Sequence, residues 1–121
     1  MIKDSEFARL LINKFAEERT PLFVIADLSS LFFKFSGFIT EVSSGGFVID
    51  SRLPTESLPS QLVVRLSRAN GFEYGDMRQF DGDSDIDIYR DFERSVGGIE
   101  GALVLRFPDG ALALIETKAA L

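Results

Sequence analysis

The densest run of chemically capable side chains is Asp81-Gly82-Asp83-Ser84-Asp85-Ile86-Asp87. Carboxylates at alternate positions of a loop can converge on a hard cation, which takes oxygen ligands. Asp81, Asp83 and Asp85 are therefore the candidate metal ligands of this chain. A plainer reading competes with that one. Residues 84–95 look helical, with Ile88, Tyr89 and Phe92 along one side, Ser84 and Asp87 spaced as a capping box, and Gly97-Gly98 able to end the turn. Asp85 and Asp87 then favour a helix N-terminus through the macrodipole, and the loop is simply solvated acid.

Measured against the calcium loop of EF-hands, the sixth position is Ile86 where glycine is needed and the twelfth is Phe92 where glutamate is needed. Ser84-Asp85-Ile86-Asp87 also resembles the paired aspartates of polymerase-β-type nucleotidyltransferases. The Gly-Ser pair those enzymes carry upstream has no counterpart in Glu73-Tyr74-Gly75-Asp76-Met77-Arg78. Neither pattern is complete, and the reading of the residues assigns no catalytic side chain and no cofactor.

Composition removes most other chemistry. The 121 residues include no Cys and no His, which excludes disulfides, thiolate sites and the ordinary Ser-His-Asp and Cys-His arrangements. With no Trp and twelve Phe, phenylalanine carries the aromatic core. The net charge is −6, and residues 73–93 alone hold eight acidic and two basic side chains, so the remainder balances to zero. Acidic chains are poor general ligands of nucleic acid, whose binding rests on Lys and Arg releasing counterions. Arg65 and Arg68 with Phe72 and Tyr74 form a candidate basic-aromatic patch for a single strand. Outward charges alternating on an antiparallel sheet explain the same residues.

The elements that must position these groups are legible in the periodicity. Residues 4–19 form an amphipathic helix, with Phe7, Leu10, Leu11 and Phe15 in its stripe, Ala8 and Ile12 widening it, and Asp4 or Ser5 as cap. Strands are expected over Leu22 to Leu28, over Leu31 to Val42 with Gly37 as an interruption, and from Phe47 after the turn Ser44-Gly45-Gly46. Pro54 to Ser60 is a polar connector. Leu62, Val64 and Leu66 alternate with Val63, Arg65 and Ser67, and Asn70-Gly71 predicts a tight hairpin returning from Phe72 to about Arg78. A last hairpin runs from Ala102 to Phe107, turns at Pro108-Asp109-Gly110 and returns to Glu116. The expected fold is mainly β (α+β), a small and strongly bent antiparallel β-barrel in a single domain over 1–121.

Residues 5–52 resemble the Sm/LSm family, in particular its bacterial, Hfq-like branch. The resemblance rests on the N-terminal helix, Glu18-Arg19-Thr20-Pro21 at its exit, an apolar first strand, and Phe35-Ser36-Gly37-Phe38-Ile39 running on to Val48-Ile49. It implies an Sm-like barrel whose second strand bends at Gly37, with the acidic segment 53–100 as an insertion and 101–117 as a closing hairpin. The bacterial branch carries a Tyr-Lys-His run that a chain without His cannot supply, and its basic helix rim is reduced here to Arg19. A second segment, Glu41-Val42-Ser43-Ser44-Gly45-Gly46-Phe47-Val48-Ile49, resembles the Asp/Asn-x-Ser-x-x-Gly segment of PilZ domains, which bind cyclic di-GMP. The paired arginines that grip the nucleotide phosphates are missing upstream of it.

The expectation is a non-catalytic, Sm-like binding or assembly module that meets copies of itself or a protein partner. RNA is the alternative ligand, and a cation-dependent enzyme or sensor at Asp81–Asp87 is the other. The charged N-terminus and the lack of a long apolar run favour a cytoplasmic home and no membrane contact. The solvated-loop reading predicts that titration with Ca²⁺, Mg²⁺ or Mn²⁺ at millimolar concentration gives no saturable heat and no melting shift. A saturable isotherm abolished by Asp83→Asn would establish the cation site instead.

Overall fold

The computed structural model describes residues 2–29, 31–51, 61–75 and 99–117. The candidate ligands Asp81, Asp83 and Asp85, the helix expected over 84–95 and the connector at 54–60 lie outside the described residues. The described residues are mainly β, with one N-terminal helix and seven antiparallel strands in a single sheet.

Helix α1 spans Ser5–Glu18, and Asp4 caps it by accepting a 2.9 Å hydrogen bond from the Glu6 amide. Its buried side chains are Ala8, Leu11, Ile12 and Phe15, at i, i+3, i+4 and i+7. Leu10, expected in the stripe, points away from it and is 66% exposed. The helix ends without a glycine. Arg19 takes the left-handed conformation (φ 51°), its amide donates to Ala16 and Phe15 carbonyls, and its guanidinium lies 5.7 Å from the Phe38 ring centroid. That cation–π contact stabilises by about 0.5–1 kcal/mol and offsets part of the cost of a side chain at positive φ.

The strands are β1 (Leu22–Leu28), β2 (Leu31–Ser43), β3 (Gly46–Ser51), β4 (Gln61–Arg65), β5 (Gly71–Gly75), β6 (Ile99–Phe107) and β7 (Gly110–Thr117), with a 3₁₀ turn η1 at Leu66–Arg68. They lie side by side in the order β4-β3-β2-β1-β7-β6-β5. The pairing of β2 with β3 shifts register between Ile39 and Glu41. Gly37 opposes Ser51, and a Cβ there would collide with the Asp50 carbonyl oxygen, so this close approach of two backbones requires glycine.

The hairpin expected at Asn70-Gly71 does not form. β4 pairs with β3, and β5 pairs with β6, so the two strands flanking that dipeptide never meet. The reason is local as well as long-range. Leu66–Arg68 winds into a 3₁₀ turn where strand was expected, and the Asn70 amide donates to the Arg106 carbonyl at 2.8 Å, which delivers the chain to β6. The final hairpin is as expected, with β6 and β7 paired through Phe107 and Gly110.

The sheet stays open, because no ladder joins β4 to β5. Only five residues connect these two edges, however, and six chain steps span at most about 21 Å. The sheet must therefore curl. One core cluster records that curl, since it joins Ile12 and Phe15 of the helix to Val24, Ile39, Ile49, Val64, Leu103 and Leu114 from six different strands. The opposite face of β1, β6 and β7 is buried too, through Ile25, Val104, Ala113 and Ile115. Strands withdrawn from water on both faces read as unbroken apolar runs, as Leu22–Ala26 and Ala111–Ile115 do. Phe15→Ala is expected to lower unfolding stability by about 3–5 kcal/mol, because it leaves a cavity where the helix fills the concave face. Leu10→Ala on the exposed side should stay within about 0.5 kcal/mol. Urea unfolding of the two variants measures both.

Candidate functional site

The two edges of the sheet are treated differently by the chain. At the β5 edge, the Ile2 amide donates to the Tyr74 carbonyl and the Tyr74 amide donates back to Ile2, both at 2.8 Å. This antiparallel bridge occupies the outward main-chain groups of Tyr74. The same residue is held from its other end by its hydroxyl, 2.8 Å from Glu116 Oε2, and by the Phe7 ring at 5.5 Å. Beside it, Arg106 Nε donates to Glu73 Oε1 at 3.0 Å across the β5–β6 pair. This edge is pinned.

At the β4 edge, no strand among the described residues covers the outer side. The direction of its main-chain groups follows from the ladder. The Leu66 amide donates to the Gly45 carbonyl, and hydrogen-bonded pairs in an antiparallel ladder alternate, so Phe47/Val64 and Ile49/Leu62 are the bonded pairs. A Cβ on Gly46 would collide with the Val64 carbonyl oxygen, which confirms that this carbonyl is turned toward β3. The amides and carbonyls of Gln61, Val63 and Arg65 accordingly face the open side. Their side chains are also exposed, and Val63 keeps 65% of its surface in water.

Next to this edge the curled sheet leaves a cleft of about 640 Å³. Its walls are apolar: Leu28 at the end of β1, Leu62 and Val64 on β4, Phe107 at the end of β6 and Leu112 on β7. Val63 and Arg65 on β4 and Arg68 on η1 also line it, as does Asp109 in the turn between β6 and β7. Asp109 is fixed to the β1 end, where its carbonyl accepts from the Ser29 amide at 2.7 Å and its carboxylate from the Ser29 hydroxyl at 3.1 Å. Among the described residues neither Arg65 nor Arg68 makes an ion pair. Leu31, the cross-strand neighbour of Leu28, is 63% exposed, so apolar surface continues outward from the cleft. A smaller polar hollow of about 320 Å³ lies between α1 and Ser43–Ser44, where Arg9 Nη1 already donates to the Ser44 carbonyl.

The basic-aromatic patch suggested by the sequence is divided by this arrangement. Arg65 and Arg68 stand at the cleft, whereas Phe72 and Tyr74 are half-buried and pack against the concave core. The open β4 edge and the cleft were missed in the sequence, because both depend on where β5 goes. Among the described residues no group of three or more Asp or Glu is placed to hold a metal ion, and no helix is long and apolar enough to cross a membrane. No protein-family model, curated protein or solved structure matches the chain.

Proposed function

We propose that this chain is a non-catalytic assembly module that joins a second copy of itself through the free edge of β4. The observation that carries the reading is the asymmetry of the two edges: β5 is bridged by Ile2, while the outward main-chain donors and acceptors of Gln61, Val63 and Arg65 pair with nothing among the described residues. Uncovered edges of this kind are templates for strand addition, and natural sheets usually guard them with Pro, bulges or Lys. Gln61-Leu62-Val63-Val64-Arg65 has neither Pro nor Lys, and its one charge, Arg65, stands at the end of the strand. It is also suited to a two-fold contact. Antiparallel pairing about Val63 sets Val63 against its own copy and Gln61 against Arg65, with no like charges opposed.

The curled sheet with its inward-packed N-terminal helix is in keeping with an Sm-like barrel that lacks its final closure, and that is the architecture we propose for the module. The absence of His and the division of the Arg65–Tyr74 patch weigh against RNA as the principal ligand.

Light scattering coupled to size exclusion should show a concentration-dependent dimer. Val63→Pro should shift it to monomer while leaving the melting temperature within a few degrees. The Val63 amide faces the open side, so proline there removes no bond to β3. A wild-type chain that is strictly monomeric at millimolar concentration would sink the assembly reading. Retention of oligo-A or oligo-U that weakens steeply with salt would put RNA in its place.

A further inference from the structure

We infer that the cleft beside β4 binds a single-chain anionic amphiphile, with its apolar chain inside and its head group on Arg65 and Arg68. The volume of about 640 Å³ lies within the range of small-molecule sites, and the walls that would meet such a chain are aliphatic or aromatic. Leu28, Leu62 and Phe107 are only half-buried there although they pack against the core, so apolar surface remains to be covered.

The charged lining decides the sign of the head group. Two guanidinium groups without an ion-pair partner among the described residues line the cleft from β4 and η1 in a protein of net charge −6. A carboxylate or sulfonate head placed on them meets charge-assisted donors, which favours that orientation of the chain. A cationic head placed there meets like charge, and the lining carboxylate, Asp109, already accepts from the Ser29 hydroxyl. Most of the apolar walls are side chains that face the concave side, whereas dimer pairing uses the outward main chain of β4. Val63 and Arg65 belong to both the cleft and the pairing edge, so binding and assembly meet at these two residues.

The test is calorimetric titration with octanoate, decanoate and dodecanoate below their micellar concentrations, with dodecyltrimethylammonium and acetate as comparison probes. Saturable 1:1 binding of the fatty carboxylates is expected, tightening about fourfold for each added methylene. Acetate should give no heat, and the cationic amphiphile should bind at least tenfold more weakly than dodecanoate. Arg68→Gln should weaken dodecanoate about tenfold, with Arg68→Lys recovering part of the loss. Both substitutions are at an exposed position, and circular dichroism confirms their folding. Light scattering on the same samples reads the oligomeric state independently. Equal affinity for the anionic and cationic chains, or dodecanoate binding unchanged in both Arg68→Gln and Arg65→Gln, would overturn the inference. No dodecanoate binding at all would overturn it too, and would leave the cleft to be covered by a neighbouring copy if the dimer persists.

Discussion

A five-residue link between two edge strands is the constraint from which the rest of the structure follows. The 3₁₀ turn at Leu66–Arg68 and the next two residues carry the chain from β4, at one side of a seven-stranded sheet, to β5 at the other. A flat sheet of that width would hold its edges roughly 29 Å apart, at about 4.8 Å per strand step. The link reaches at most about 21 Å when fully extended and less with a 3₁₀ turn inside it. Curvature is thus imposed by connectivity. The concave side it creates needs filling, and the stripe Ala8, Leu11, Ile12 and Phe15 fills it.

The same constraint explains why one region stays uncovered. Helix α1 lies against β2 and β5, and its apolar stripe serves that part of the concave face. Toward Leu28 and Phe107 no helix among the described residues lies over the inward side chains, and the cleft opens there. The sheet is then left with two edges of unequal character. Ile2 ties down β5, while the outward main chain of β4 is unpaired among the described residues. The binding chemistry proposed for this chain rests on backbone pairing, apolar burial and two arginines, and needs neither the thiol nor the imidazole that the sequence lacks.

Local patterns in the sequence were sufficient for α1, β1, β2, β3 and the β6–β7 hairpin, because each is specified by neighbours within a few residues. Leu22–Ala26 is an unbroken apolar run, and Pro108-Asp109-Gly110 supplies its own turn. They failed at Asn70-Gly71. That dipeptide is a strong local hairpin signal, yet the partner of Phe72 is Leu105, thirty-three positions away, and no short-range pattern encodes the choice. The error propagated to the site, since a β4–β5 hairpin would have covered the edge now proposed for assembly. Arg65 and Arg68, singled out in the sequence as part of a basic-aromatic patch, both line the cleft. Their supposed companions Phe72 and Tyr74 turned inward because β5 joins the concave core. For the carboxylates at Asp81, Asp83 and Asp85 the described residues provide no placement.

Whether the outward main chain of β4, unpaired among the described residues, is free in solution is read by amide hydrogen exchange across a range of protein concentrations. In dilute monomer, the amides of Leu62, Val64 and Leu66 should be protected by β3, while those of Val63 and Arg65 exchange freely. As concentration rises and copies pair, Val63 and Arg65 should gain protection in step with the dimer population. If Val63 and Arg65 are already protected as strongly as Leu62 and Val64 at the lowest concentration, the β4 edge is covered within the single chain and the account is wrong.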